Sequence, residues 1–214
     1  MKAVVVAHGD ALPSDRAHAA GADLLIAADG GALLCRHWDL LPQLVVGDLD
    51  SLGEARAEEL GRAGARVIAY PADKDESDTE LAVQAALDAG ADEIVLVAAL
   101  GGERLDHELA NVLLVADPRL GGRIRAVRGE TTVRAIHAGG PRTLGGGPGD
   151  IVTLLPIGDA AGVVTDGLRY PLRGDTLRAG AARGLSNVVE RAGATVALAQ
   201  GVLIVFEISR GGVS

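Results

Sequence analysis

The stretch Leu44-Val45-Val46-Gly47-Asp48-Leu49-Asp50-Ser51 runs from apolar residues directly into an acidic turn, and the pattern recurs along the chain. Asp29-Gly30-Gly31 follows the apolar residues 24–28, and Asp73-Lys74-Asp75-Glu76-Ser77-Asp78 follows residues 66–70. Gly101-Gly102-Glu103-Arg104-Leu105-Asp106-His107 follows residues 94–100. If these runs are parallel strands, all four turns emerge at one edge of one sheet. Carboxylates gathered there form a pocket in which a metal ion and phosphates can sit.

Working outward, Leu24-Leu25-Ile26-Ala27-Ala28, Leu44-Val45-Val46 and Ile94-Val95-Leu96-Val97 are apolar throughout, as strands covered on both faces must be. Segments 54–63, 79–89 and 105–116 place helix formers at helical spacing between them. Alternation of this kind predicts an α/β fold with a doubly wound, mostly parallel sheet, whose ligands bind beyond the carboxyl ends of the strands. The pattern changes at Gly139-Gly140-Pro141 and Gly145-Gly146-Gly147-Pro148-Gly149. Beyond it, 151–155, 162–165, 195–199 and 202–206 read as strands, with Gln200-Gly201 as a tight hairpin turn between the last two. The expected organisation is a catalytic α/β domain over 1–138 and a smaller all-β sandwich over 139–214.

Composition narrows the function. A chain of 214 residues with 48% hydrophobic and 23% charged residues can bury a sound core. No apolar run approaches the roughly 18–20 residues needed to cross a bilayer, and residues 1–7 read as a first strand rather than a leader. The single cysteine, Cys35, fits a reducing cytoplasm. A net charge of −9 argues against a nucleic-acid binder, and an anionic nucleotide is compatible with it only through bridging cations.

Each motif also has a plain structural reading. Asp48 and Asp50 can solvate a turn, with Ser51-x-x-Glu54 as a capping box, and Ser77-x-x-Glu80 fits a second one. Yet Asp73, Asp75, Glu76 and Asp78 crowd like charges within six residues, which calls for a cation. Gly101-Gly102 lets backbone approach a phosphate, and Arg104 offers a forked donor. His107 and Asn111 share a helical face. A Walker A sequence is absent, and the Gly145 cluster reads as a linker. Aromatic residues amount to Trp38, Tyr70, Tyr170 and Phe206, so few rings are available for stacking.

Taken together, 28–32, 47–51, 74–78 and 102–107 resemble the nucleotide- and metal-binding motifs of the thiamine pyrophosphokinase family, in that family's order. Gly167-Leu168-Arg169-Tyr170-Pro171-Leu172 and Gly184-Leu185-Ser186-Asn187 are similar to its thiamine-binding domain. The resemblance covers about residues 27–206. It departs where Ser77 replaces the usual threonine, where Glu103 separates the glycines from Arg104, and where Tyr170 stands in place of a tryptophan found in some members. It implies a homodimer with thiamine bound at the subunit interface, and transfer of pyrophosphoryl from ATP to thiamine with Mg²⁺. By the same resemblance Asp48, Asp50 and Asp78 are metal ligands and, with Asp106, the catalytic set. Asp29, Gly30, Lys74, Gly101, Gly102, Arg104 and His107 would bind the nucleotide, and Tyr170, Ser186 and Asn187 the thiamine. Two rival readings are a haloacid-dehalogenase-type phosphatase with Asp48 as nucleophile, and a non-catalytic thiamine- or nucleotide-binding module.

Overall fold

A computed structural model of the chain describes residues 1–211, in two compact units. The first comprises Met1–Leu114 with the short segment Ala126–Gly129. The second comprises Val115–Arg125 and the chain from Glu130 onward.

In the first unit, strands β1 (Lys2–Val6), β2 (Leu24–Ala28), β3 (Leu44–Gly47), β4 (Arg66–Ala69) and β5 (Glu93–Val97) alternate with helices α1 (Pro13–Ala20), α2 (Gly31–His37), α3 (Glu54–Arg62), α4 (Asp78–Asp88) and α5 (Leu105–Leu114). The strand order is β4-β3-β2-β1-β5, then β6 (Ile124–Arg128), and every pairing from β4 through β5 is parallel. Alternate strand residues serve opposite faces. Val4, Val6, Leu25, Ala27, Val45, Val95 and Val97 pack with Ala19, Ala32, Cys35 and Ala57 of α1, α2 and α3. The other face is covered by α4, which lies on β1, β2 and β3 and buries Ala82, Val83 and Ala86. That two-sided cover is why the strands could be uniformly apolar. The expected α/β, doubly wound, mostly parallel sheet is therefore present. Its direction of winding reverses between β1 and β5, the place where such sheets open a crevice.

One helix start follows a local signal and two do not. The Ser77 side chain accepts from the Glu80 N–H at 3.2 Å while Glu80 reaches back to the Ser77 N–H, so this capping box forms as expected. The one expected at Ser51 and Glu54 does not. Gly53, at φ 82°, is the residue before α3, and the Ser51 hydroxyl donates to Asp50 instead. Gly31 opens α2 because nothing larger fits: a Cβ there would lie 2.0 Å from the Val6 carbonyl oxygen.

The second unit is β-rich, as expected, but its strands are longer than the sequence pattern implied. β7 (Thr131–Thr143) runs through Gly139-Gly140-Pro141, so the position between 138 and 139 lies inside a strand. Residues 151–155 and 162–165 belong to one strand, β8 (Ile151–Asp166). β9 (Arg173–Leu177) and β10 (Asn187–Val188) pair with β8. Gln200-Gly201 is not a hairpin turn, because β11 (Thr195–Ile208) passes straight through it. Gln200 pairs with Ala161 whereas Val202 pairs with Ile157, so β8 bulges outward around Gly158 to Ala160. Glycines in a strand mark a bulge as readily as a turn, and Gly201 sits against the Asp159 carbonyl oxygen, 2.6 Å from where a Cβ would be. Antiparallel β8, β11 and β7 enclose an apolar core of Leu154, Val163, Leu168, Leu177, Val196, Leu203 and their neighbours.

Candidate functional site

The acidic turns do converge. Asp29 directly follows β2, and its carboxylate accepts the backbone N–H of Ser51 at 3.1 Å and of Leu52 at 3.2 Å. This ties the turn after β2 to the turn after β3. Asp48 accepts the Asp50 N–H at 3.1 Å. One carboxylate oxygen from each of Asp29, Asp48 and Asp50 lies within 4.8 Å of the others. Gly47 permits this approach, since a Cβ on it would fall 2.8 Å from the Asp29 Cβ and 3.2 Å from the Asp78 carboxyl carbon.

Lys74 supplies the compensating charge. Its Nζ lies 3.2 Å from Asp48 Oδ2 and 3.0 Å from Asp78 Oδ1, and its side chain is largely covered. Burial is the largest single influence on Lys74 and lowers its pKa, yet the bonds and charges of Asp78 and Asp48 together hold it above its ordinary value. The Asp50 N–H, followed by Lys74, lowers Asp48. Burial dominates at Asp78 and raises it despite Lys74. Asp78 Oδ1 is buried and, although ion-paired, makes no aligned hydrogen bond. One cation among four carboxylates leaves an excess of hard oxygen donors, which suits Mg²⁺. The three-carboxylate group uses Asp29 with Asp48 and Asp50, whereas Asp78 stands beside it on Lys74.

Backbone strain collects at the same edge. Asp29, Leu49 and Ala98 adopt φ of 41°, 66° and 51°, and each lies at the end of a strand. Non-glycine residues hold such conformations where surrounding contacts impose them, often at functional sites. Gly30 is covered by His8, whose Nδ1 would lie 2.2 Å from a Cβ. His8, Gly9 and Asp10 follow β1 at the switch point and complete the rim. Sequence reasoning passed over them because their turn carries no acidic cluster. The position of β1 at the centre of the sheet was the missing signal.

The remaining expected residues follow β5, in the turn 101–104 and in α5. Arg104 and Asp106 form a forked pair, 2.9 and 2.7 Å, with both side chains exposed. The Arg104 hydrogen bonds hold the Asp106 carboxyl far below the usual range. His107 is exposed in the first turn of α5, whereas Asn111 is buried and donates to the Ala99 carbonyl at 2.9 Å, fastening α5 to the end of β5. Gly101 and Gly102, at φ 85° and 108°, bring bare backbone to the rim.

In the second unit, the two motifs around Tyr170 and Asn187 lie side by side. The Asn187 amide accepts from the Tyr170 N–H at 3.0 Å and donates to its carbonyl at 2.7 Å, and Leu168 bridges to Val189. Ser186 sits at φ 55°, its N–H bonded to the Thr153 hydroxyl at 2.9 Å. Gly184 packs so closely on β8 that a Cβ would be 2.0 Å from the Leu154 carbonyl oxygen. This frame leaves Tyr170 63% exposed. Asn187 thus works as a fastener of the loop that presents Tyr170.

Comparison with known proteins agrees with both halves. Residues 17–123 match the family model "Thiamin pyrophosphokinase, catalytic domain", and residues 142–203 match "Thiamin pyrophosphokinase, vitamin B1 binding domain". A thiamine pyrophosphokinase of Bacillus subtilis is 26% identical over 183 residues, 85% of each chain. The crystal structure of a thiamin pyrophosphokinase family protein from Enterococcus faecalis superposes with a TM-score of 0.85 at 25% identity, covering 99% of this chain and 100% of that one. A thiamin pyrophosphokinase from Geobacillus thermodenitrificans gives 0.81 at 26% identity, over 99% of both chains. With both of the family's domains matched in order along one polypeptide, the chain belongs to the thiamine pyrophosphokinases, a family of enzymes.

Proposed function

We propose that this enzyme transfers the terminal pyrophosphoryl group of ATP to the hydroxyl of thiamine, forming thiamine diphosphate and AMP. The observation that carries the reading is the meeting of Asp29, Asp48 and Asp50 at the carboxyl edge of a parallel sheet, with the Lys74–Asp78 pair beside them. In this reading the first unit binds the nucleotide and the second binds thiamine, with the exposed Tyr170 available for stacking. Asp29, Asp48 and Asp50 would hold Mg²⁺. When bound, the ion supplies charge neutralisation on phosphate oxygens.

The protein's own groups account for the rest. Gly101 and Gly102 offer backbone to the phosphates, and Arg104 offers a guanidinium. Phosphoryl transfer depends on positioning and charge stabilisation, so the attacking hydroxyl needs only alignment with the β-phosphorus and a proton acceptor. Asp78 suits that role better than Asp106. Burial raises its pKa towards the working range of a general base, whereas Arg104 keeps Asp106 a weak one. Leu105, Leu109 and Leu113 recur every fourth residue along α5 and are all exposed, an apolar stripe in keeping with a homodimer. A buried, unpaired Cys35 is in keeping with a cytoplasmic protein.

The test is to incubate the pure protein with ATP, Mg²⁺ and thiamine and separate the products. AMP and thiamine diphosphate in equal amounts support the reading, whereas ADP with thiamine monophosphate refutes it. A trapped aspartyl-phosphate on Asp48 would favour the phosphatase instead.

A further inference from the structure

We propose that Arg128 is a positioning residue for the nucleotide's phosphates, clamping the two loops that flank the switch point between β1 and β5. This rests on the nucleotide reading above. Arg128 lies outside both matched family segments, and no acidic or glycine-rich motif announces it. It ends β6, on the short segment Ala126–Gly129 that belongs to the first unit.

Its guanidinium joins two loops. Nη1 donates to the Leu100 carbonyl at 3.1 Å, and Nη2 lies 3.6 Å from Asp10 Oδ2. The same group fills the space beside Gly101, where a Cβ would sit 1.6 Å from Nη1 and 2.5 Å from the guanidinium carbon. Gly101 is therefore constrained twice, by its left-handed φ and by the arginine packed on it. Gly9 closes the opposite side. Its N–H donates to the Ala98 carbonyl at 2.8 Å, and a Cβ on it would fall 2.7 Å from the carbonyl oxygens of both Ala98 and Gly101.

The result is that the bare backbone of Gly9, Gly101 and Gly102 is held in one arrangement, with a single planar cation joining the loops that carry it. A guanidinium can do this because its donors diverge in a fixed plane, so one carbonyl and one carboxylate on different loops are reached together. A lysine, with a point charge on a flexible stem, reaches one or the other. Holding the Gly101-Gly102 backbone in place also fixes the start of the segment carrying Arg104. The consequence falls on nucleotide binding. Thiamine binding, assigned to the second unit, is untouched.

The test is steady-state kinetics of wild type, Arg128→Gln and Arg128→Lys with ATP and thiamine varied separately, and circular dichroism as the check on folding. Both variants should raise the KM for ATP by about tenfold, the equivalent of one charge-assisted hydrogen bond, and leave the KM for thiamine unchanged. Should Arg128→Gln fail to fold, Arg128→Lys, which keeps charge and stem, decides the matter alone. An ATP KM equal to wild type in the folded variants, or equal rises for both substrates, overturns the inference and leaves the nucleotide reading standing. A wild-type protein with no ATP-dependent turnover overturns both.

Discussion

Replacing Asp29 by asparagine tests whether one carboxylate both builds the acidic site and works in it. Asp29 is 4% exposed and accepts two backbone N–H groups from the turn that carries Asp48 and Asp50. Asparagine has nearly the same shape but a single acceptor, so its NH₂ must face one of those two N–H donors. The loss is one hydrogen bond to a charged acceptor plus a buried donor left unpaired, together about 3 kcal/mol. For a chain of this length that corresponds to a fall in melting temperature of roughly 6–12 °C. The same change removes one negative charge from the three-carboxylate group, so Mg²⁺ should be needed at higher concentration for ATP turnover. Scanning calorimetry measures the first effect and a magnesium titration of AMP release the second. Asp29→Glu, which keeps the charge, separates them: its melting temperature falls while its magnesium demand shifts less than that of Asp29→Asn. If Asp29→Asn melts like wild type and shows the same magnesium dependence, the argument for Asp29 is wrong on both counts.

Asp48→Ala should retain its circular dichroism spectrum yet lose about 10²-fold or more in turnover, roughly 2.7 kcal/mol of barrier; near-normal AMP release would remove Asp48 from the site. Gly31→Ala should be far more damaging to stability than its small size suggests, by at least about 3 kcal/mol in urea denaturation. The new Cβ meets the Val6 carbonyl at 2.0 Å, and neither backbone can step aside. Burial pushes the Cys35 thiol up to about 12, so alkylation at pH 8 should require unfolding, as mass spectrometry after brief iodoacetamide treatment would reveal. The sign for stability follows from linkage. Between the thiol's unfolded value near 9 and about 12 the folded state holds the extra proton. Stability should therefore be at its full value below pH 9 and fall above it, by up to about 1.4 kcal/mol per pH unit, and Cys35→Ala should abolish that part of the slope.

Much of the first unit was legible because its signals are local. A strand covered on both faces has to be apolar throughout, and a capping box such as Ser77 and Glu80 is a matter of four adjacent residues. The second unit was less legible because glycine has two readings. Gly139 and Gly201 read as breaks, yet both lie within long strands. A turn and a bulge demand the same backbone freedom, and only the pairing partner tells them apart. The Ser51–Glu54 motif failed for a related reason: Asp29, distant in sequence, claims the N–H groups of Ser51 and Leu52 and dictates how the chain enters α3.

Sequence alone determined that acidic and glycine turns follow apolar strands in a fixed order, because the alternation of strand and helix leaves a parallel sheet little choice about which edge receives them. Tertiary structure decided which side chains share a site. Asp29 joins Asp48 and Asp50 because Gly47 lets the neighbouring turns touch, and His8 and Arg128 enter because β1 lies between β2 and β5. Those are distances between residues far apart in the chain. They depend on strand order and on the space around individual atoms, and no local pattern encodes either.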